Sequence, residues 1–285
     1  MTYPLAGVRI LELGQIIAGT YGSQVLTDLG AEVIKIEPPE GDVLRRRKRE
    51  TEPYPLVMLN SNKESVVLDL KQPEAKKIFL ALVEKADVLI ENFAAGVMDR
   101  LGLGYDVLSK LNPRLVYGGS SGFGLDGPYR DLAAMDVTIQ AMSGIMGVTG
   151  FPDGPPVKSG STACDFIAGT HVYGAVMTAL FERERTGKGR VVEVTMQDAV
   201  YASLASNLGM VHARGPAAPC CRVRQCARSG RAQIDRANAV AAARWARAAS
   251  PRGWPSSNCS PRTHSTKNVL APPPPPGRPR APSCR

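Results

Sequence analysis

The chain predicts an α/β fold, an open parallel sheet with flanking helices, on three observations. Short apolar strands alternate with stretches of helical spacing, the order that builds βαβ units. Glycine or proline stands where these stretches should stop. The alternation ends near His212, beyond which no period of 2 or 3.6 is sustained.

Taken in order, Val8–Leu13 (VRILEL) reads as a strand and Ile17–Leu29 as a helix stopped by Gly30. Glu32–Glu37 (EVIKIE) alternates as a second strand, and Pro38 and Pro39 end it. This βαβ unit implies parallel strands joined by a right-handed crossover. The unit repeats with a strand at Ser65–Leu70, a helix at Pro73–Lys85 with proline in its first turn, and a strand at Asp87–Glu91. Leu115–Gly118 is a further short strand. Loops rich in glycine and proline cover residues 118–129 and 150–160. A long helix at Asp165–Arg185 stops at Gly187, Val191–Met196 is a strand, and a helix starts near Gln197. The whole is a Rossmann-like core over residues 1–213.

Residues 214–285 differ in chemistry. They hold 14 of the 35 Lys and Arg but only one of the 26 acids, Asp235. The net charge of +9 therefore belongs to them, and it says little about partners of the folded part. They also hold five of the six cysteines, both tryptophans and twelve of the 23 prolines. Ala237–Ala249 is at most weakly helical, and Pro272–Pro276 must be polyproline II. A disordered, non-native tail is the expectation, an out-of-frame or alternatively spliced reading of a GC-rich gene. Cys220, Cys221 and Cys226 with His212 lack the spacing of a zinc site, so no metal is expected. Tail arginines beside Trp245 and Trp254 are read as accidental charge, not as a nucleic-acid surface.

Bulk features narrow the function further. The first eleven residues lack a basic stretch followed by an apolar one, and Phe166–Phe181 is too short to span a bilayer, so a cytoplasmic protein without a membrane partner is expected. Cys164 stands alone in the first part, which excludes a disulfide framework there. The first βα turn reads Gly14-Gln15-Ile16-Ile17-Ala18-Gly19, which is not G-x-G-x-x-G. Neither Glu32 nor Glu37 rescues a dinucleotide fingerprint. Asp165 is the only acid between Asp153 and Glu182, at the start of the long helix. It suits an N-cap, and equally a carboxylate held ionised by the helix N-terminus and available as a nucleophile. Arg45–Arg49 is a basic run that reads as a solvated loop, and His171 as a core residue of an apolar helix.

Several segments together resemble a known family. The run from Pro4 to Asp42, the segments LNSNKESVVLDLK, ADVLIENF and IQAMSGIMGVTG, the loop PDGPPVKSG, and TGKGRVVEVTMQDA are similar to class III CoA-transferases, the CaiB/BaiF family to which formyl-CoA transferase belongs. The resemblance covers about residues 4–210. It implies CoA transfer from an acyl-CoA to a carboxylic acid through an aspartyl anhydride and an aspartyl thioester, with Asp165 as nucleophile. It implies CoA contacts at Ile16, Leu68, Lys71, Asn92, Phe93, Arg100 and Met196. CoA is a substrate in this scheme, and no tightly bound cofactor is implied. Ile17, Ala133 and Met135 replace a glutamine, a lysine and a tyrosine of formyl-CoA transferase, so the acids exchanged are left open. Asp136 falls where the family often carries an acid. Acyl-CoA racemases of the family carry a histidine just before that acid, and Met135 there favours transfer. The resemblance also implies an interlocked homodimer, built in part from a C-terminal region that residues 214–285 do not resemble. The chain by itself is therefore expected to be inactive.

Overall fold

The computed structural model describes residues 3–46, 54–150 and 154–214. Six parallel strands form one sheet: β1 (Arg9–Glu12), β2 (Glu32–Glu37), β3 (Glu64–Val67), β4 (Val88–Glu91), β5 (Val116–Ser121) and β6 (Val191–Thr195). Their order across the sheet is β3-β2-β1-β4-β5-β6. That is the doubly wound order, with its switch point between β1 and β4, where such sheets open a crevice for ligands. The helices are α1 (Ala18–Asp28), α2 (Tyr54–Asn60), α3 (Pro73–Val83), α4 (Val97–Arg100), α5 (Tyr105–Leu111), α6 (Asp136–Ser143), α7 (Ile145–Val148), α8 (Ala163–Thr186), α9 (Met196–Tyr201) and α10 (Ala205–Arg214), with a 3-10 turn at Ala202–Leu204.

The predicted strands and long helices all form, with shifted ends. β3 begins one residue earlier than expected and stops at Val67, so Leu68 and Leu70 fall beyond it. α3 ends at Val83 and α8 begins at Ala163. The largest difference is β5, which runs on to Ser121 through residues read as loop. Gly118 and Gly119 are strand residues because the space above them is taken: a Cβ on Gly118 would lie 3.1 Å from Val176 of α8. α2, α4, α5, α6 and α7 were not foreseen; each is eight residues or fewer, too short for a clear period.

Two apolar layers sandwich the sheet. On one face, Ile10, Val33, Val88, Ile90 and Val116 pack with Leu26 of α1 and with Ala168, Val172 and Val176 of α8. On the other, Leu11, Ile34, Ile36 and Leu89 pack with Phe79 and Val83 of α3 and Leu108 of α5. Burial on both faces explains why β1, β4 and most of β2 and β5 read as strands from their apolar content, while β3 is exposed. α8 has 24 residues, not the shorter apolar run read from sequence, and by length and composition it would suffice to cross a membrane. Its packing on α1, β5, β6 and α9 accounts for that composition as a core helix. α1 and α8 meet closely: a Cβ on Gly169 would lie 2.7 Å from the Ala18 carbonyl oxygen, so glycine sets this approach.

The tail readings, including Cys220, Cys221, Cys226, Trp245, Trp254 and the segments 237–249 and 272–276, lie outside the described residues, as do Arg47–Arg49 of the basic run. Arg45 of that run is not merely solvated. It forks onto Glu37, with Nε donating to Oε2 at 2.7 Å and Nη2 to Oε1 at 2.9 Å.

Candidate active site

The site forms where the first turns of α1 and α8 come together at the carboxyl ends of the strands. Phe166 and Tyr21 meet edge to face, with ring centroids 4.8 Å apart. Asp165, one residue before Phe166, is the third residue of α8. It is therefore not the N-cap read from sequence: Thr162 holds that position and makes no side-chain cap. No hydrogen bond or ion pair from a described residue reaches the Asp165 carboxylate. Burial pushes its carboxyl up to about 7, and the charge of Asp136 adds to the shift. A helix N-terminus acts the other way and favours the anion. The result is a desolvated carboxylate without partners, poised to change protonation near neutral pH, as a nucleophile or base requires.

Asp136 is neither a surface loop residue nor a simple cap of its own helix. It is buried at the start of α6, and its two oxygens are both used. Oδ1 accepts the Cys164 backbone N–H at 2.9 Å, one residue before the nucleophile candidate. Oδ2 accepts Gln140 Nε2 at 2.6 Å. Gln140, fully buried, also donates to the Ser161 carbonyl at 3.1 Å, and its Oε1 accepts the Ser159 N–H at 2.8 Å. α6 thus holds the segment that leads into α8. The pair makes a testable coupling. Asp136→Asn removes the second cause of the raised Asp165 pKa, so the pH at which Asp165 becomes reactive falls below about 7. The pH profile of Asp165 labelling by a carboxyl reagent measures it; an unchanged midpoint would contradict the coupling.

The first βα turn is held from beneath by a buried network of charge. Glu12 and Lys35 face each other in register across β1 and β2. Lys35 Nζ lies 2.7 Å from Glu12 Oε1, 2.7 Å from the Gly14 carbonyl and 3.3 Å from Asp42 Oδ2. Lys63 Nζ lies 2.7 Å from Glu12 Oε2, 2.8 Å from the Thr20 carbonyl and 2.9 Å from Ser23 Oγ. Burial opposes ionisation of Glu12, but Lys35 and Lys63 outweigh it and hold the carboxyl below its usual range. Burial lowers Lys63 to about 8, against the pull of Glu12. The network joins two acids and two lysines, so its formal charges balance.

Above this network, Ile16 has φ of +64°, a conformation that a β-branched residue adopts only under constraint. Its N–H donates to Asp42 Oδ2 at 3.3 Å. Its neighbour Gln15 is clamped by Asn92, which accepts the Gln15 N–H at 2.7 Å and donates Nδ2 to the Gln15 carbonyl at 2.9 Å. Asn92 follows β4, so this clamp spans the switch point. The structure thus joins Ile16 and Asn92, two of the sequence-predicted contacts, on one rim.

The other predicted contacts are placed differently. Leu68 and Met196 are buried members of the two apolar cores. Phe93 is half-buried beside a cleft of about 110 Å³, walled also by Tyr105, Tyr117 and Val97. Lys71 is exposed in the turn before α3, and Arg100 is exposed at the end of α4. His171 is exposed rather than core, with Nδ1 2.8 Å from the Ile167 carbonyl. Sequence reasoning missed Glu91, buried at the end of β4 in the same cleft. Burial pushes its carboxyl up to about 7, with Asp99 and Glu193 adding to the shift. It also missed Lys63, whose partners lie 40 to 51 residues away in sequence, and Gln140, which joins Asp136 four residues away to Ser159 and Ser161, 19 and 21 residues on.

Comparison with known proteins accords with this geometry. The family model of CoA-transferase family III matches residues 5–248. An acetyl-CoA:oxalate CoA-transferase of Acetobacter aceti is 47% identical over 218 residues, covering 75% of this chain and 56% of the relative. A formyl-CoA:oxalate CoA-transferase of Streptomyces avermitilis is 42% identical, covering 70% of this chain and 49% of the relative. The crystal structure of a CAIB/BAIF family protein from Brucella suis superimposes with a TM-score of 0.73 at 38% identity, over 75% of this chain and 59% of that one. The chain thus spans about half the length of the curated relatives it matches. Together with the doubly wound sheet, these matches identify the chain as a member of CoA-transferase family III.

Proposed function

We propose that these residues carry CoA transfer from an acyl-CoA to a carboxylic acid, with Asp165 as the covalent nucleophile. The observation that carries this reading is the Asp165 carboxylate itself, desolvated, without a hydrogen-bond or ion-pair partner among the described residues and set in the first turn of a long helix. Its oxygen attacks the thioester carbonyl, the carbon–sulfur bond breaks, and CoA leaves as thiolate from a mixed anhydride. The thiolate then attacks the aspartyl carbonyl and expels the first acid, leaving an aspartyl thioester. The incoming carboxylate attacks that thioester and displaces the thiolate, and a new mixed anhydride forms. A last attack by the thiolate on the acyl carbonyl gives the new acyl-CoA and frees Asp165. Each tetrahedral oxyanion needs N–H donors, and the first turn of α1, which has no side-chain cap and contains no acid, is a candidate supply.

The names of the relatives support a short-chain acyl donor and a small carboxylic acid acceptor such as oxalate. Transfer is preferred to racemisation because Met135, beside Asp136, offers no base. An interlocked homodimer belongs to the same reading; exposed Phe181 on α8 leaves apolar surface for a second chain. Mixing the protein with succinyl-CoA and then hydroxylamine tests the first half-reaction, which asks only for Asp165 and the thioester and not for the full turnover expected to be lost in this chain. The expected result is one thiol released per chain and a hydroxamate on Asp165 by peptide mass spectrometry. Absence of both, in a chain shown to bind CoA, would count against the assignment.

A further inference from the structure

We propose that Arg130 is a second cationic ligand for a phosphate at the nucleotide end of acyl-CoA, acting with Arg100 across Gly96. The inference rests on the CoA reading above and adds a residue to it. Gly96 follows β4 at the edge of the cleft beside Phe93 and has φ of +76°. A Cβ placed there would lie 3.2 Å from Arg100 Nη1 and 3.6 Å from Arg130 Nη2. The two guanidinium groups therefore converge on one point from different parts of the chain, α4 and the loop after β5. Their nitrogens are separated by no more than about 7 Å, a gap one phosphate bridges with charge-assisted hydrogen bonds of about 2.8 Å on each side. Glycine leaves the floor of this cradle open; any side chain would fill it.

The charge pattern supports an anion here. Arg9, Arg45, Arg114, Arg183 and Arg190 each lie within ion-pair distance of a carboxylate. Arg185 lies over the Phe181 ring. Among the described residues no acid pairs with Arg100 or Arg130, and both are exposed. Two like charges brought together without a counter-charge repel, so the arrangement is favourable when an anion sits between them. Position decides which part of CoA this is. The thioester must reach Asp165 at the α8 side of the sheet. The cradle borders a cleft lined by Tyr105 and Tyr117, on the α5 side. Only the end of CoA remote from sulfur then remains for the arginines.

Isothermal titration of CoA into the full chain and its Arg130→Gln, Arg130→Lys and Arg185→Gln variants tests the proposal. Arg130→Gln is expected to weaken CoA about tenfold, the loss of one charge-assisted contact. Arg130→Lys should retain most of the affinity, and Arg185→Gln, which lowers net charge equally, should stay within about twofold of wild type. An Arg130→Gln value within twofold of wild type overturns the proposal, as does an equal loss in Arg185→Gln. Failure of the wild-type chain to bind CoA would overturn the CoA reading itself and this inference with it, a result distinct from the other two.

Discussion

With Asp165 as the proposed nucleophile, Asp165→Ala is expected to abolish acyl transfer to the protein and to lower thiol release from succinyl-CoA by at least about a thousandfold, because the covalent route is removed rather than weakened. Asp165→Asn does the same while keeping shape, so lost packing is not the cause. The same Asn variant has a second, opposite signature. With the folded carboxyl at about 7, above its ordinary value of 3.8, the native state binds the proton more tightly than the unfolded chain. Wild-type stability is therefore lost as pH rises from about 4 to about 7 and stays lost above that. Asp165→Asn, with nothing to ionise, escapes this loss. It should melt higher than wild type at pH 8 and level with it at pH 4. A variant that loses acylation but melts lower at pH 8 would mean that Asp165 stabilises the fold, and that the burial argument is wrong.

Much of this was legible in the sequence. Parallel strands buried on both faces leave apolar runs, and α1 and α8 end at Gly30 and Gly187, so the sheet and its long helices could be read directly. Glu12, at the end of β1, and Lys35, within β2, were read only as strand residues, although a buried charge needs a partner; their parallel register supplies it. What could not be read was contact between distant segments. Nothing in the sequence says that Asp136 binds the N–H of Cys164, 28 residues on, or that Asn92 clamps Gln15, 77 residues back. The left-handed Ile16 is invisible for the same reason, because residue type argues against that conformation and only Asp42 and the clamp beside it enforce it. Leu68, which the resemblance gives as a CoA contact, also packs in the apolar core, and residue type alone does not separate the two roles.

Lys35→Met tests whether the buried network exists for stability or for the turn above it. The substitution keeps the volume but strips Glu12 of one partner, Asp42 of its ion pair and the Gly14 carbonyl of its donor. Breaking one member of a buried charged group is expected to destabilise by about 3–5 kcal/mol, a fall in melting temperature on the order of 10 °C for a folded part of this size. Replacing only Glu12 and Lys35 does not repair this, because Lys63 is then left buried without its carboxylate partner. Replacing Glu12, Lys35 and Lys63 together by apolar residues should recover part of the stability, since Asp42 alone then stays buried without a counter-charge, held by the Ile16 and Leu44 N–H groups. CoA affinity should not recover with it. Without Lys35 holding Asp42 and the Gly14 carbonyl, Ile16 relaxes out of its left-handed conformation and the rim shared with Asn92 loses its shape. Urea denaturation and CoA titration on the same triple variant separate the two roles. Full recovery of both would mean that the network is only ballast in the core. Recovered stability with lost binding places the strain of Ile16 in the service of the ligand site.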